Sequence, residues 1–86
     1  MEDIQTLRKR VDLVDDQIIK ALSERVKICR AIGEAKKQQG LAVRDKSREN
    51  EVYMRVKEKA AKFQLEPAQI EALYREIVNM CSDVQK

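Results

Sequence analysis

The chain has 86 residues, of which 38% are charged and only 3% are aromatic, and it contains two glycines and one proline. This composition is typical of one all-helical domain, and a domain of this size buries a marginal core, so we expect it to form an oligomer. The net charge of +3 comes from 18 basic and 15 acidic residues spread evenly along the chain, which argues against a nucleic-acid-binding protein.

The absent residue types exclude several kinds of chemistry. There is no histidine, so the usual general base, metal ligand and Ser-His or Cys-His pair are missing. Cys29 and Cys81 are too few for a metal cluster. Both lie on apolar helical faces where buried thiols are common, so we expect no disulfide and favour a reducing cytoplasm. No stretch approaches a membrane span or a signal peptide. We therefore predict a soluble, cytoplasmic protein with no metal, cofactor or membrane partner.

The first predicted helix is the longest and covers about residues 3–39. Its apolar residues recur at steps of three or four, which is typical of an amphipathic helix: Ile4, Leu7, Val11, Val14, Ile18, Leu22, Val26, Cys29 and Ile32. Asp3 is a suitable N-cap, and Gly40 follows two lysines as in many helix C-termini. At 1.5 Å per residue the helix is roughly 55 Å long.

Two shorter helices follow within the same predicted domain, residues 1–86. Asp45 or Ser47 can cap a second helix over about residues 45–63, and Pro67 suits the first turn of a third helix over about residues 67–85. The predicted apolar face of the second helix consists of Val52, Val56, Ala60 and Phe63. That of the third consists of Ile70, Leu73, Tyr74, Ile77, Val78 and Cys81.

The unequal helix lengths predict self-association. Two short helices cannot cover a helix of about ten turns, so part of the first helix must protrude. The simplest closed arrangement that covers it is a two-fold dimer in which the long helices pair antiparallel. The prediction is therefore an all-α, intertwined homodimer.

Arg25 and Lys36 are candidate binding residues on the long helix. Their spacing places them within about 20° on one face and roughly 16 Å apart along the axis, with Cys29 and Ile32 between them. Two cations over an apolar floor could bind a small anion that has a hydrophobic body. The alternative is that both side chains extend into solvent from the edge of the core.

Arg8 is a third candidate, although it is roughly 42 Å from Lys36 along one helix and cannot share a pocket with it in one chain. In an antiparallel dimer, Arg8 of one subunit approaches the middle of the partner's long helix. A functional Arg8 would therefore belong to a site shared between subunits. Otherwise it is one of many surface cations.

Two smaller groups complete the candidates. Asp45, Arg48 and Glu49 share one face at the start of the second helix, where carboxylates can accept from a hydroxyl and the arginine can pair with a carboxylate. The ordinary alternative is a capping aspartate with a solvated ion-pair network. Cys81 and Gln85 lie one turn apart on the third helix, where Gln85 is either a frayed terminal residue or a neutral donor that points inward.

The segments that carry these side chains resemble a known family. They are Leu7-Arg8-Lys9-Arg10-Val11-Asp12, Asp15, Leu22-Ser23-Glu24-Arg25, Gly33-Glu34-Ala35-Lys36 and Val43-Arg44-Asp45-Lys46-Ser47-Arg48-Glu49. Together they resemble the all-helical chorismate mutases of the AroQ class over essentially the whole chain. The matching functional positions are Arg8, Arg25, Lys36, Asp45, Arg48, Glu49 and Gln85.

The resemblance implies an enzyme that rearranges chorismate to prephenate on the route to phenylalanine and tyrosine, as an intertwined homodimer without a cofactor. Such a [3,3] rearrangement needs no nucleophile and no proton transfer, which fits the absence of histidine. The enzyme must hold the flexible dianion in its reactive conformation. It must also stabilise negative charge on the ether oxygen as the C–O bond breaks.

The resemblance also implies roles for the charged residues. Arg25 and the partner's Arg8 bind substrate carboxylates, for which the arginine fork is suited. Lys36 and Gln85 donate hydrogen bonds to the ether oxygen. Family members commonly have serine at the position of Cys81, where it bonds to a substrate carboxylate, and a thiol is a weaker donor.

The remaining implied contacts surround the ring of the substrate. Glu49 and the backbone near Asp45 bind the ring hydroxyl. Arg48 pairs with a carboxylate or supports Glu49. Ile32 and Val78 form the apolar walls.

Two alternatives remain open. Isochorismate pyruvate lyases share this fold and its cations, but lyase relatives lack the glutamate that follows Arg48 in this chain and have a different connector. A non-enzymatic helical dimerisation module would explain the long helix but not the charges at these spacings.

Overall fold

The computed structural model describes residues 2–86 and consists of three α-helices: α1 (Ile4–Gln39), α2 (Lys46–Lys62) and α3 (Pro67–Gln85). The predicted all-α fold with one long and two shorter helices is confirmed. The helix bounds differ from the predicted ranges by at most one residue. Met1, which the predicted domain range included, lies outside the described residues.

Capping interactions define the helix ends. Asp3 and Asp45 each accept a hydrogen bond from the backbone N–H three residues later, at 2.8 and 3.1 Å, and so begin α1 and α2. Of the two proposed caps for α2, Asp45 is therefore the one used rather than Ser47. Gly40 ends α1 with a φ of 68°, a left-handed conformation that favours glycine.

The third helix packs against both others. Against α2 it forms the buried core, in which each fully buried apolar side chain contributes roughly 1.5–3 kcal/mol. This core consists of Val52, Tyr53, Val56 and Val78, with Ile70 and Tyr74 packed against it. Its contacts with α1 include Cys81 on Cys29 and Gln85 on Gly33, which follow the same order along both helices. The α1 and α3 helices are therefore parallel.

Two residues of the predicted apolar faces, Phe63 and Leu73, are exposed in the structure. Phe63 is 72% exposed because it is the C-cap of α2, where the chain leaves the helix and turns at Gln64, whose φ is 61°. Leu73 is 55% exposed because it lies beside the covered stripe of α3. That stripe runs through Ile70, Tyr74, Val78, Ser82 and Gln85.

The N-terminal half of α1 projects beyond the other helices. Every side chain from residue 2 to residue 21 is exposed, including the apolar residues Leu7, Val11 and Ile18 at 43%, 58% and 51%. The molecule accordingly measures 57 × 23 × 15 Å along its principal axes. The protrusion that the periodicity predicted is present, and its apolar stripe has no cover within the part of the chain that the structure describes.

Cys29 and Cys81 form a disulfide that joins α1 to α3. The expectation of two unpaired thiols is therefore wrong. The cysteines are 52 residues apart in sequence, so no local pattern indicates the pairing. Parallel packing of the two helices brings their Cα atoms to 5.3 Å, a normal separation for a disulfide. The cytoplasmic prediction, which drew on unpaired thiols, loses that support.

Within residues 2–86, no helix combines the length and the apolar character needed to cross a membrane. In the same part of the chain, no three Cys, Asp or Glu side chains are grouped so that they could hold a metal ion.

The close approach of α1 and α3 at Gly33 gives a testable expectation. A Cβ atom on Gly33 would lie 2.9 Å from the Cα atom of Gln85, which is backbone and cannot rotate away. Replacing a helical glycine by alanine normally stabilises a helix by about 1 kcal/mol. Here we expect Gly33→Ala to lower the free energy of unfolding by roughly 1–3 kcal/mol, because overpacking separates the helices.

The measurement is urea unfolding at one fixed protomer concentration. Gln38→Ala, at an exposed position of α1, is the control and is expected to change the free energy of unfolding by less than about 0.5 kcal/mol. A Gly33→Ala variant as stable as the parent would show that the α1–α3 contact is not tight at this point.

Candidate active site

A pocket of about 460 Å³ lies between the C-terminal half of α1, the start of α2 and the end of α3. This volume suits a small organic ligand. Four cationic and two acidic side chains contribute to its wall, so the lining carries a positive balance that favours an anion. The lining residues are Arg25, Ile28, Cys29, Ile32, Lys36, Val43, Asp45, Arg48, Glu49, Val52, Arg55, Val78, Cys81, Ser82 and Gln85.

The pocket gathers nine of the ten side chains singled out from the sequence. They are Arg25, Ile32, Lys36, Asp45, Arg48, Glu49, Val78, Cys81 and Gln85. Arg8 does not line it: this residue is exposed on the protruding half of α1, roughly 25 Å before Arg25 along the helix axis. Within one chain, the structure therefore separates Arg8 from the other candidates.

The ammonium group of Lys36 lies where α1, the connector between α1 and α2, and the last turn of α3 meet. Its Nζ donates to the backbone oxygen of Val43 at 2.5 Å and to Oε1 of Gln85 at 2.8 Å. The first acceptor belongs to the connector and the second to the last turn of α3. An ammonium group has three N–H bonds, so one remains available for a ligand.

Gln85 is buried rather than frayed. Only 6% of the residue is exposed, and its Nε2 lies 3.2 Å from the sulfur of Cys81 as a donor. Because this sulfur is bonded to Cys29, it carries no hydrogen. In the disulfide form, Cys81 therefore cannot be the thiol donor that the resemblance implied, and it contributes an accepting sulfur to the pocket wall.

Arg25 and Lys36 are half-buried cations for which residues 2–86 provide no carboxylate partner. The Nη1 atom of Arg25 lies 3.8 Å from the sulfur of Cys29, which is a weak acceptor. Among residues 2–86, the ion pairs involve neither cation. The two charges flank Cys29 and Ile32 as the helical spacing predicted, and both face one pocket rather than isolated patches of surface.

The carboxylate of Glu49 is held by Arg44. Nε and Nη2 of Arg44 donate to its two oxygens at 3.0 and 2.9 Å, a bidentate arrangement. These hydrogen bonds hold the pKa of Glu49 below its ordinary value of 4.5, with the positive charge of Arg44 acting in the same direction. Arg48 pairs with Glu51 at 3.3 Å and makes no hydrogen bond to Glu49 in this structure, so of its two implied roles the structure contains no contact for the support of Glu49.

Arg44 is the main residue that sequence reasoning missed. It lies in the connector, five residues before Glu49, so the i, i+3 and i, i+4 spacing of helical pairs does not indicate the contact. Its Nη1 also donates to Oδ1 of Asn79 at 3.2 Å, which ties the start of α2 to α3. Ser82 was missed too, although a small polar residue on the covered stripe of α3 was a visible signal.

Removal of Arg44 should raise the pKa of Glu49. In Arg44→Gln the charge-assisted hydrogen bonds that favour the ionised carboxylate are lost, so the pKa moves up toward 4.5. A depressed carboxyl pKa contributes stability above the ordinary value, and that contribution disappears as the pH falls through the folded-state pKa. We therefore expect Arg44→Gln to be less stable than the parent at pH 7, with the difference shrinking below about pH 4.

The measurement is an NMR titration of the Glu49 side-chain carboxyl, together with urea unfolding at each pH. Arg48→Gln is the matched control, since Arg48 makes no bond to Glu49, and it should leave the pKa of Glu49 nearly unchanged. A larger shift in Arg48→Gln than in Arg44→Gln would contradict this assignment.

The chain is similar to known chorismate mutases. Residues 7–86 match the family model for chorismate mutase type II. The chain is 30% identical over its whole length to a bifunctional chorismate mutase/prephenate dehydratase of Aquifex aeolicus and spans 25% of that protein. It is 32% identical over 66% of its length to a chorismate mutase of Methanocaldococcus jannaschii and spans 58% of that protein.

A solved structure shows the same fold. A conserved hypothetical protein from Pyrococcus furiosus superposes with a TM-score of 0.78 at 35% sequence identity, covering 96% of this chain and 95% of the other. The family model covers nearly all of α1 and the whole of α2 and α3, and these helices form the pocket. The chain therefore belongs to the chorismate mutase type II, or AroQ, family.

Proposed function

We propose that this chain catalyses the rearrangement of chorismate to prephenate in the pocket between its three helices. The observation that carries the proposal is the pair of cations, Arg25 and Lys36, which line an apolar-walled pocket without a carboxylate partner among residues 2–86. A dianion with a hydrocarbon ring is the kind of ligand that such a wall favours. The family match and the names of both curated relatives support this substrate.

The reaction is a redistribution of bonds within one molecule. The ether C–O bond breaks while a C–C bond forms, and no proton or group is transferred. The protein therefore has two tasks: to hold the substrate in its folded conformation and to stabilise the charge that develops on the ether oxygen.

Lys36 is suited to the second task. Its ammonium group is fixed by Val43 and Gln85, so it does not have to reorganise when charge develops, and its third N–H can point to the ether oxygen. The amide nitrogen of Gln85 has a second N–H beyond the one that approaches Cys81. We assign these two groups as the donors to the ether oxygen.

Arginine side chains hold the substrate in its folded conformation by binding its two carboxylates. Arg25 is positioned to pair with one carboxylate of the substrate by a bidentate hydrogen bond. For the other carboxylate we propose the partner's Arg8, delivered in an antiparallel homodimer that also covers the exposed apolar stripe of α1. Residues 4–21 of α1 expose seven large apolar side chains, whose burial against a partner would be favourable.

The remaining contacts position the ring. Glu49 keeps lone pairs free beside its two bonds to Arg44, so it can accept from the ring hydroxyl, with the backbone near Asp45 as a second contact. Arg48 stands at the rim as a further carboxylate partner. Ile32 and Val78 wall the ring.

We propose that residues 1–86 form one chorismate mutase domain of phenylalanine and tyrosine biosynthesis. The chain spans a quarter and 58% of the two curated relatives, so the activity assigned here is that of this domain. A cytoplasmic location stays a prediction.

Incubation of the purified protein with chorismate tests the proposal. We expect loss of the ultraviolet absorbance of chorismate, with prephenate as the identified product. Lys36→Ala should lower kcat by at least about 100-fold, the usual effect of removing a preorganised donor, while circular dichroism shows an intact fold. Lys62→Ala, an exposed lysine at the far end of α2, is the control and should retain full activity.

Other outcomes identify the alternatives. Turnover of isochorismate to pyruvate with none of chorismate would indicate a lyase of the same fold. A folded protein that turns over neither substrate would contradict the enzymatic proposal and favour a dimerisation module.

A further inference from the structure

The disulfide lies inside the pocket rather than on a remote surface. Cys29 and Cys81 both line it, and each sulfur contacts a proposed catalytic side chain: Cys29 approaches Arg25 at 3.8 Å and Cys81 approaches Gln85 at 3.2 Å. A bond placed only to stabilise the fold would not need to touch both groups.

The disulfide also lies one helical turn from the donor pair. Cys29 and Gly33 are four residues apart on α1, and Cys81 and Gln85 are four residues apart on α3, so the two helices make successive contacts at adjacent turns. The contact between Gly33 and Gln85 places the carboxamide 2.8 Å from Lys36. If the helices separate at Cys29 and Cys81, the distance between Lys36 and the carboxamide of Gln85 therefore increases.

The disulfide is the covalent link in a set of contacts that hold this end of α3, which also includes the packing of Gln85 on Gly33 and its hydrogen bond from Lys36. α3 ends at Gln85, and the backbone carbonyls in the last turn of an α-helix have no intrahelical partner, so side-chain contacts fix the position of this turn. The Nε2 group of Gln85 donates to the sulfur of Cys81. The disulfide therefore holds the helix in place and also orients the amide.

We propose that the Cys29–Cys81 disulfide is a positioning bond for the amide of Gln85, so that a dithiol reductant entering the pocket lowers turnover by releasing the end of α3. This inference rests on the proposed function, because it concerns one of the two donors to the ether oxygen. It differs from a purely stabilising role in predicting an effect on kcat under conditions in which the protein stays folded.

The chemistry of release is thiol–disulfide exchange. A thiolate of the dithiol attacks the sulfur of Cys81, which belongs to the more exposed of the two cysteines, and the S–S bond breaks. Cys29 leaves as a thiolate with the bonding electron pair, and the guanidinium of Arg25 stabilises its charge until it takes a proton. The second thiol of the reductant then displaces Cys81. The reductant supplies two electrons and two protons in all and ends as a disulfide.

The test compares the oxidised protein, the same protein reduced by dithiothreitol, and Cys29→Ser with and without dithiothreitol, all well below the unfolding temperature. We expect reduction to lower kcat by about tenfold or more, because small misplacements of a catalytic group cost large factors in rate. KM should change less, since Arg25 belongs to α1, whereas reduction releases the end of α3. Cys29→Ser should match the reduced protein and ignore the reductant, and reoxidation of the parent should restore kcat.

A second measurement is independent of activity. Amide hydrogen exchange of residues 82–85 should become faster on reduction, while that of the α2 core stays unchanged. If none of the forms turns over chorismate, the proposed function fails and the exchange rates alone decide whether the disulfide fixes Gln85. The proposal is overturned if reduction leaves both kcat and the exchange rates unchanged. It is also overturned if the Cys29→Ser variant still responds to dithiothreitol.

Discussion

The parallel contact between α1 and α3 is the constraint on which the site depends. It exists because position 33 has no side chain: the backbone of α3 approaches α1 so closely that a single added carbon would lie 2.9 Å from the Cα of Gln85. That approach allows Lys36 to reach an amide 49 residues further along the chain. The disulfide one turn earlier fixes the same approach covalently.

Around this contact, some charged side chains form ion pairs and others do not. The pairs Arg44–Glu49 and Lys57–Glu71 are satisfied ion pairs that join structural elements. Arg25 and Lys36 take part in no ion pair among residues 2–86 and donate to weak or neutral acceptors, although Asp45 and Glu49 line the same pocket. Unpaired cations in a partly desolvated wall attract an anion more strongly than exposed ones do, since water screens them less.

Whether the sequence predicted a feature of the fold or the site depended on how far apart the interacting residues are along the chain. Helical periodicity placed Arg25 and Lys36 on one face, and the capping residue and the proline located the starts of α2 and α3, since these are local effects. The disulfide, the burial of Gln85 and the Arg44–Glu49 pair are set by contacts between elements. No spacing rule reaches across 52 residues or from a connector into a helix. The resemblance to a family supplied the candidate roles that periodicity alone left open, but not the pairing of the cysteines.

Arg8 is the one proposed catalytic residue that lies outside the pocket. Within one chain it is roughly 25 Å from Arg25 along the axis of α1. The proposed reaction requires Arg8 to act in the site of the other subunit. The direct test mixes two inactive variants, Arg8→Ala and Lys36→Ala, after joint unfolding and refolding. A mixed dimer then has one site with both residues intact, so random pairing should restore activity to about a quarter of the parent sites. Activity no higher than that of either variant alone would contradict a site shared between subunits.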